Sequence, residues 1–208
     1  MNEISTVRRA SLKSGPGRVI GCIGICWLLE KAALSDSVQL RLCTAEDAST
    51  LAIVGSATFL ESFAGLVPGD AILAHCRKNH VASAYEAYLA HPQTRAWLAE
   101  VPPGAAPVGY ALLTAPEFPP ELVREGDLEL RRIYVFSRFH GSGTGMRLMK
   151  LAIASARQQG AKRFLLGVHP DNVRAIAFYR KNGFHRIGTR TFRVGDAQFE
   201  DPVFALEL

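Results

Sequence analysis

The sequence predicts one mixed α/β domain, and three observations carry that prediction. Helical and strand-like hydrophobic patterns alternate along the chain from Val38 onwards. A glycine-rich loop, Gly141-Ser142-Gly143-Thr144-Gly145, joins the most strand-like run to an amphipathic helix. A continuously apolar run at residues 164–168 has the pattern of a strand covered on both sheet faces. At 208 residues the chain has the length of one well-filled domain and an extension.

Val38, Leu40 and Leu42 alternate with polar neighbours and predict a half-buried strand, and Thr44 with Asp47 three residues later predicts a helix start. That helix runs on to about Phe59, and Pro68-Gly69-Asp70 separates it from a second helix over residues 71–89. Residues 96–101 and 108–114 read as two strands joined through Pro102-Pro103-Gly104. Residues 128–135 form the next strand and lead through the glycine loop into a helix over residues 146–159, which Gly160 closes. After the strand at 164–168 come a helix over residues 172–182, ended by Gly183, and strands near 184–190 and 202–208.

Twenty-four Lys and Arg against 19 Asp and Glu give +5, too mild for a nucleic-acid footprint but suited to a phosphate-bearing ligand. Of the four cysteines none forms a CxxC pair, which argues for free thiols, a reducing cytoplasmic compartment and no zinc ribbon. Residues 19–29 are apolar and follow basic residues. Glu30 and Lys31 stand where a signal peptide carries small neutral residues, however, and the run is far short of the ~20 residues of a membrane span. We expect residues 1–36 to be a poorly ordered or loosely docked extension, residues 37–208 to be the domain, and no membrane partner.

The strand, the loop and the helix start around Gly141 to Gly145 form an anion cradle. Glycines permit positive φ and close approach, and the first-turn N–H groups and dipole of a helix attract a pyrophosphate. No Gly-Lys-Ser/Thr follows, so the loop is not of the Walker type, and GxGxG is not the Rossmann GxGxxG. By itself this spacing fits a tight strand-to-helix turn equally well. His75 and His80, five apart on one expected helix, would not share a face, which argues against a metal site. Arg131-Arg132 reads as polar positions of a strand.

The segment Val168-His169-Pro170-Asp171-Asn172-Val173-Arg174-Ala175-Ile176-Ala177-Phe178-Tyr179-Arg180-Lys181-Asn182-Gly183-Phe184 resembles the second acyl-CoA-binding motif of the GCN5-related N-acetyltransferase superfamily. Ile133-Tyr134-Val135 and the glycine loop resemble its first motif, with His140 where the family usually has Gln or Arg. The resemblance implies a mostly antiparallel sheet, flanked by helices, whose one parallel pair, residues 128–135 and 164–168, splays to admit acetyl-CoA as co-substrate. It implies cofactor contacts from Ile133, Tyr134 and Val135, from His140, Gly141, Ser142, Gly143, Thr144 and Gly145, and from Asn172, which would otherwise be a plain N-cap. Tyr179 would be the general acid for the departing thiolate, or an aromatic packed beside Phe178. Glu129, with Glu61 second, is the expected acceptor of the amine's proton, although strand alternation puts Glu129 on the face of Ile133 only if no bulge intervenes.

Around Phe59, Glu61 and Phe63 the sequence looks like the bacterial polyamine acetyltransferase branch, with the phenylalanines as an apolar wall and Glu61 drawing in a cation. The expected activity is therefore acetyl transfer to a primary amine of a small, polyamine-like molecule by direct attack, without metal. Acetylation of a protein N-terminus or lysine, or a non-catalytic acyl-CoA-binding module, are the alternatives. A homodimer is compatible with these readings.

Overall fold

The computed structural model describes residues 37–208. The expected extension, residues 1–36, lies outside the described residues. Strand β1 (Gln39–Leu42) is followed by helices α1 (Ala48–Phe63), α2 (Gly69–Asn79) and α3 (Ala82–Ala90). Strands β2 (Arg95–Val101), β3 (Ala106–Thr114) and β4 (Asp127–Val135) come next, then α4 (Thr144–Gln158), β5 (Arg163–Gly167) and α5 (Val173–Lys181). The described chain closes on the hairpin β6 (His185–Val194) and β7 (Ala197–Glu207).

The strands make one sheet in the order β1-β2-β3-β4-β5-β7-β6. Every neighbouring pair is antiparallel except β4 with β5, so the expected mixed, mostly antiparallel sheet is what forms. The parallel pair stays in register only at Asp127 with Arg163, Leu128 with Phe164 and Glu129 with Leu165. Beyond Glu129 the upper half of β4 no longer pairs with β5.

On one face Leu148, Met149, Ala152 and Ala156 of α4, with Tyr179 of α5, pack on Trp97, Leu113, Leu128, Phe164 and Phe204. On the other, Leu51 and Val54 of α1 and Tyr85 of α3 pack on Leu98, Tyr110 and Leu112. A fully buried side chain of this size contributes about 1.5–3 kcal/mol, so these helices are held by packing more than by propensity. The start of α1 is legible as expected: Asp47 accepts the Thr44 N–H at 2.7 Å and pairs with Arg41 at 2.9 Å.

Two expectations need correction. The helix expected over residues 71–89 is two helices, because His80 leaves helical geometry and turns its ring inward to Tyr85 Oη at 2.9 Å. The last two strands are longer than expected and form one hairpin through Gly195, whose φ of +60° suits a glycine turn.

Strand β4 contains a β-bulge. Leu112 of β3 lies opposite Arg132 and Leu113 lies opposite Leu130, leaving Arg131 as the extra residue. The bulge keeps Leu128, Leu130, Ile133 and Val135 on the α4 and α5 face despite their irregular spacing. Glu129, Arg132 and Tyr134, opposite Thr114, Leu112 and Tyr110, share the other face. A bulge thus intervenes, and Glu129 does not share the face of Ile133.

Candidate active site

Where β4 and β5 part, a cavity of about 520 Å³ opens between the helices of the two faces. On one side it is lined by Ile133 and Val135, His140, Asn172 and Tyr179. On the other it is lined by Phe59 and Phe63 of α1, His75 and His80, and Arg132. Arg190 and Phe192 of β6 and Asp201 of β7 complete it.

The glycine loop has the geometry of an open cradle. Gly141 and Gly143 have φ of +83° and +82°, and a Cβ added at Gly143 or Gly145 meets nothing within 4 Å among the described residues. Thr144 begins α4 directly after Gly143, so the helix's positive end faces this open space. Ser142 Oγ donates to the Phe139 carbonyl at 2.7 Å and lies 2.8 Å from Thr144 Oγ1, which fixes the loop from within. His140 Nε2 donates to the Val135 carbonyl at 2.8 Å, so it ties the loop to the end of β4. Among the described residues, a pyrophosphate at Gly143 to Gly145 would meet backbone donors with no Cβ in the way. The residues present fit a CoA thioester.

Tyr179 is buried against Phe178 and Phe184, each ring centroid 5.6 Å away. Burial pushes its phenol above the ordinary value of 10, with Tyr134 adding to the shift. It therefore stays protonated, and the same residue both packs in the core and lines the cavity. Asn172 Oδ1 accepts the Ala175 N–H at 3.0 Å, so Asn172 caps α5 while it lines the cavity.

Phe59 and Phe63 stack at 4.4 Å and form the expected apolar wall. Glu61, between them in sequence, points away, as a residue two positions along a helix must. Its carboxylate accepts the Ser137 N–H at 3.0 Å and the Ser137 hydroxyl at 2.8 Å, and it does not line the cavity. Glu129 does not line it either. Its carboxylate is 0% exposed, accepts the Glu117 N–H at 2.8 Å and pairs with Arg190 at 3.3 Å. Burial raises its pKa above the usual carboxylate range, against the pull of those donors.

His75 and His80 come together where the sequence kept them apart: their ring centroids are 5.7 Å from each other and both line the cavity. The helix that would have separated them ends at Asn79. Burial, with the charge of Arg132, lowers His75 to about 4 and His80 to about 3, so both are neutral at pH 7. Sequence reasoning missed Arg132, Arg190 and Asp201 as cavity residues. The signal for Arg132 was present in two adjacent arginines within an otherwise alternating strand, the mark of a bulge. Asp201 carried only the weak signal of an acidic residue leading into Pro202 and an apolar run. Cys43 and Cys76 are free thiols, and Cys22 and Cys26 lie outside the described residues.

Residues 70–184 match the Acetyltransferase (GNAT) family. An uncharacterized N-acetyltransferase of Mycobacterium tuberculosis is 36% identical over 162 residues, 78% of this chain and 98% of that protein. Among solved structures, the PaiA N-acetyltransferase of Thermoplasma acidophilum in complex with coenzyme A superposes with a TM-score of 0.66 at 20% identity, covering 83% of this chain and 99% of that one. A GCN5-related N-acetyltransferase of Rhodopseudomonas palustris gives a TM-score of 0.62 at 18% identity over 83% and 96% of the two chains. The two structures share the fold. Among the described residues no helix is long and apolar enough to cross a membrane.

Proposed function

The chain belongs to the acetyltransferase (GNAT) family and is an N-acetyltransferase; on that premise we propose that it moves the acetyl group of acetyl-CoA to a primary amine of a small molecule by direct attack. The observation that carries this reading is the cavity itself. It lies where β4 and β5 part, between the expected cofactor contacts on β4 and α5 and the aromatic wall of α1. Acetyl-CoA supplies the thioester carbonyl. The cradle at Gly141 to Gly145 holds its pyrophosphate, the backbone of Ile133 to Val135 pairs with its amides as an added strand would, and Asn172 contacts the same arm.

A backbone N–H of β4 polarises the carbonyl while the amine nitrogen forms its new C–N bond. The C–S bond breaks, and Tyr179 gives its proton to the departing thiolate. Attack needs a neutral amine, and the reading passes that amine's proton to water in the cleft, since neither Glu129 nor Glu61 lines the cavity. Glu129 acts through its neighbours, as the counter-charge that fixes Arg190. The polyamine reading rests on Phe59, Glu61 and Phe63, and with Glu61 held by Ser137 it loses the carboxylate meant to draw in a cation.

The test is thiol release from acetyl-CoA with the purified full-length protein and a panel of small amines, peptides with free N-termini and lysine peptides. Amine-dependent release with small molecules is the expected result. Release with peptides alone would move the acceptor to proteins, and acetyl-CoA binding with no release from any amine would make the chain a binding module.

A further inference from the structure

Among the described residues, the buried side-chain nitrogen and oxygen atoms that lack a hydrogen-bond partner are His80 Nε2, Arg131 Nη1, Arg132 Nη1, His169 Nε2, Arg190 Nε and Asp201 Oδ1. Every one belongs to a residue that lines the cavity. Folded proteins pair such groups almost everywhere, because leaving one alone costs stability. Their concentration around one cavity marks groups kept for something that enters it.

Two of the six belong to groups of opposite charge: among the described residues Arg132 has no carboxylate partner, and Asp201 has only Arg190, which it shares with Glu129. Arg131 is neutralised by Glu117 at 2.6 Å, and Arg190 lies 3.3 Å from Glu129. Arg132 makes no ion pair with a carboxylate among the described residues. Its guanidinium lies 5.4 and 5.5 Å from the ring centres of Tyr85 and Tyr88, and the nearby imidazoles of His75 and His80 are uncharged. Asp201 is 3% exposed; its Oδ2 forms an ion pair with Arg190 Nε at 3.7 Å, without a hydrogen bond, and its Oδ1 has no hydrogen-bond partner among the described residues. Asp201 shares a sheet face with Val203 and Ala205, which pack with Leu165, the partner of Glu129. That is also the face of Arg132. Both residues line the cavity that opens where β4 and β5 part.

We infer that the acceptor is a zwitterion, an amine that carries its own carboxylate, phosphonate or phosphate, with the amine nitrogen held by Asp201 and the anionic group by Arg132. The inference rests on the N-acetyltransferase reading above and narrows its acceptor. A polycation would bring a second ammonium against Arg132, and like charges in a partly buried site repel strongly. A simple alkylamine would leave the guanidinium unpaired. A carboxylate or phosphonate instead takes the planar fork of an arginine through two parallel hydrogen bonds.

The test is calorimetric titration of the full-length protein saturated with CoA. The probes are α-amino acids, ω-aminocarboxylates and aminoalkylphosphonates, set against diamines and triamines of matched length. We expect at least one zwitterion to bind about tenfold or more tighter than its matched diamine, the scale of one charge-assisted contact. Carboxylate and phosphonate members of the series tell which anion is taken. Arg132→Gln should lose that preference, Arg132→Lys should recover part of it, and Asp201→Asn should weaken all amines together. Tighter binding of a diamine or triamine than of every zwitterion overturns the inference, as does an unaltered ranking in an Arg132→Gln protein that still binds CoA. Thiol release over the same panel separates the two readings. Arg132-dependent binding of a zwitterion without release overturns the catalytic reading and supports the zwitterion site. Release with diamines alone overturns the zwitterion site and leaves acetyl transfer standing.

Discussion

Tyr179 has a packing role and a proposed acid role on one ring, and a single atom separates them. Its hydroxyl is held protonated by burial, while its ring fills the contact between Phe178 and Phe184. Tyr179→Phe keeps the ring and removes the donor, so kcat should fall about 10²-fold, the usual scale for a general acid, with acetyl-CoA affinity little changed. Steady-state kinetics beside a calorimetric Kd checks it, and a wild-type kcat with chemistry rate-limiting would give the acid role to water. Glu129 shows the opposite lesson. Its residue type and strand position suggested a base, but the extra residue at Arg131 turns it to the face opposite Ile133, beneath Arg190. A bulge moves a side chain across a sheet without changing the sequence around it.

At the scale of elements, the glycine loop and α5 each join a structural part to a proposed binding part, and mutation can split the two. Gly143 has φ +82° and open space where a Cβ would go, so Gly143→Asp strains the backbone mildly while placing a negative charge at the anion cradle. Acetyl-CoA binding should weaken by a factor on the order of 10² or more in a protein that still unfolds cooperatively. Unchanged calorimetric affinity would remove the loop from the site. Asn172→Ala should cost about 1 kcal/mol of stability by removing the cap to Ala175, and should raise the KM for acetyl-CoA. Asn172→Ser keeps a capping oxygen and should restore the urea midpoint without restoring KM. Recovery of both together would make Asn172 a cap and nothing more. The cap, the loop and the strand limits of β4 were all legible in the sequence, because capping and turn chemistry act between residues a few positions apart.

For the whole molecule, buried neutral histidines set an acid limit. His75 and His80 are lowered to about 4 and about 3 from an unfolded value near 6.5. A depressed folded pKa means that the unfolded chain binds the extra proton first, so their contribution is fully present above about pH 6.5 and is lost as pH falls towards those values. Asp47, held down by Arg41, acts in the same direction, whereas Glu129 and Asp201, raised by burial, act in the opposite one. His80→Asn should therefore flatten the fall in unfolding free energy between pH 7 and pH 4.5, measured by urea titration at each pH. An unaltered slope would mean that His80 is not held neutral. The chain from Ser37 onward should retain acetyl-CoA binding and turnover, since the expected cofactor contacts lie beyond Val38. A folded truncation without turnover would make residues 1–36 part of the active unit.

By itself the sequence determined the order of strands and helices apart from the break at His80, the glycine turn before α4, the likeness to an acetyl-CoA-binding family and the aromatic pair at Phe59 and Phe63. All of these follow from periodicity, caps and contiguous motifs, which are local in the chain. The tertiary structure alone decided which charges share the cavity. Arg132, Arg190 and Asp201 come from three strands whose side-chain faces depend on sheet order and on one bulge, and His75 meets His80 because a helix ends between them. Local sequence sets what each residue can do, but the partner that leaves a charge matched or unmatched is 60 or more positions away for Arg190 with Glu129, and only folding brings such partners within reach.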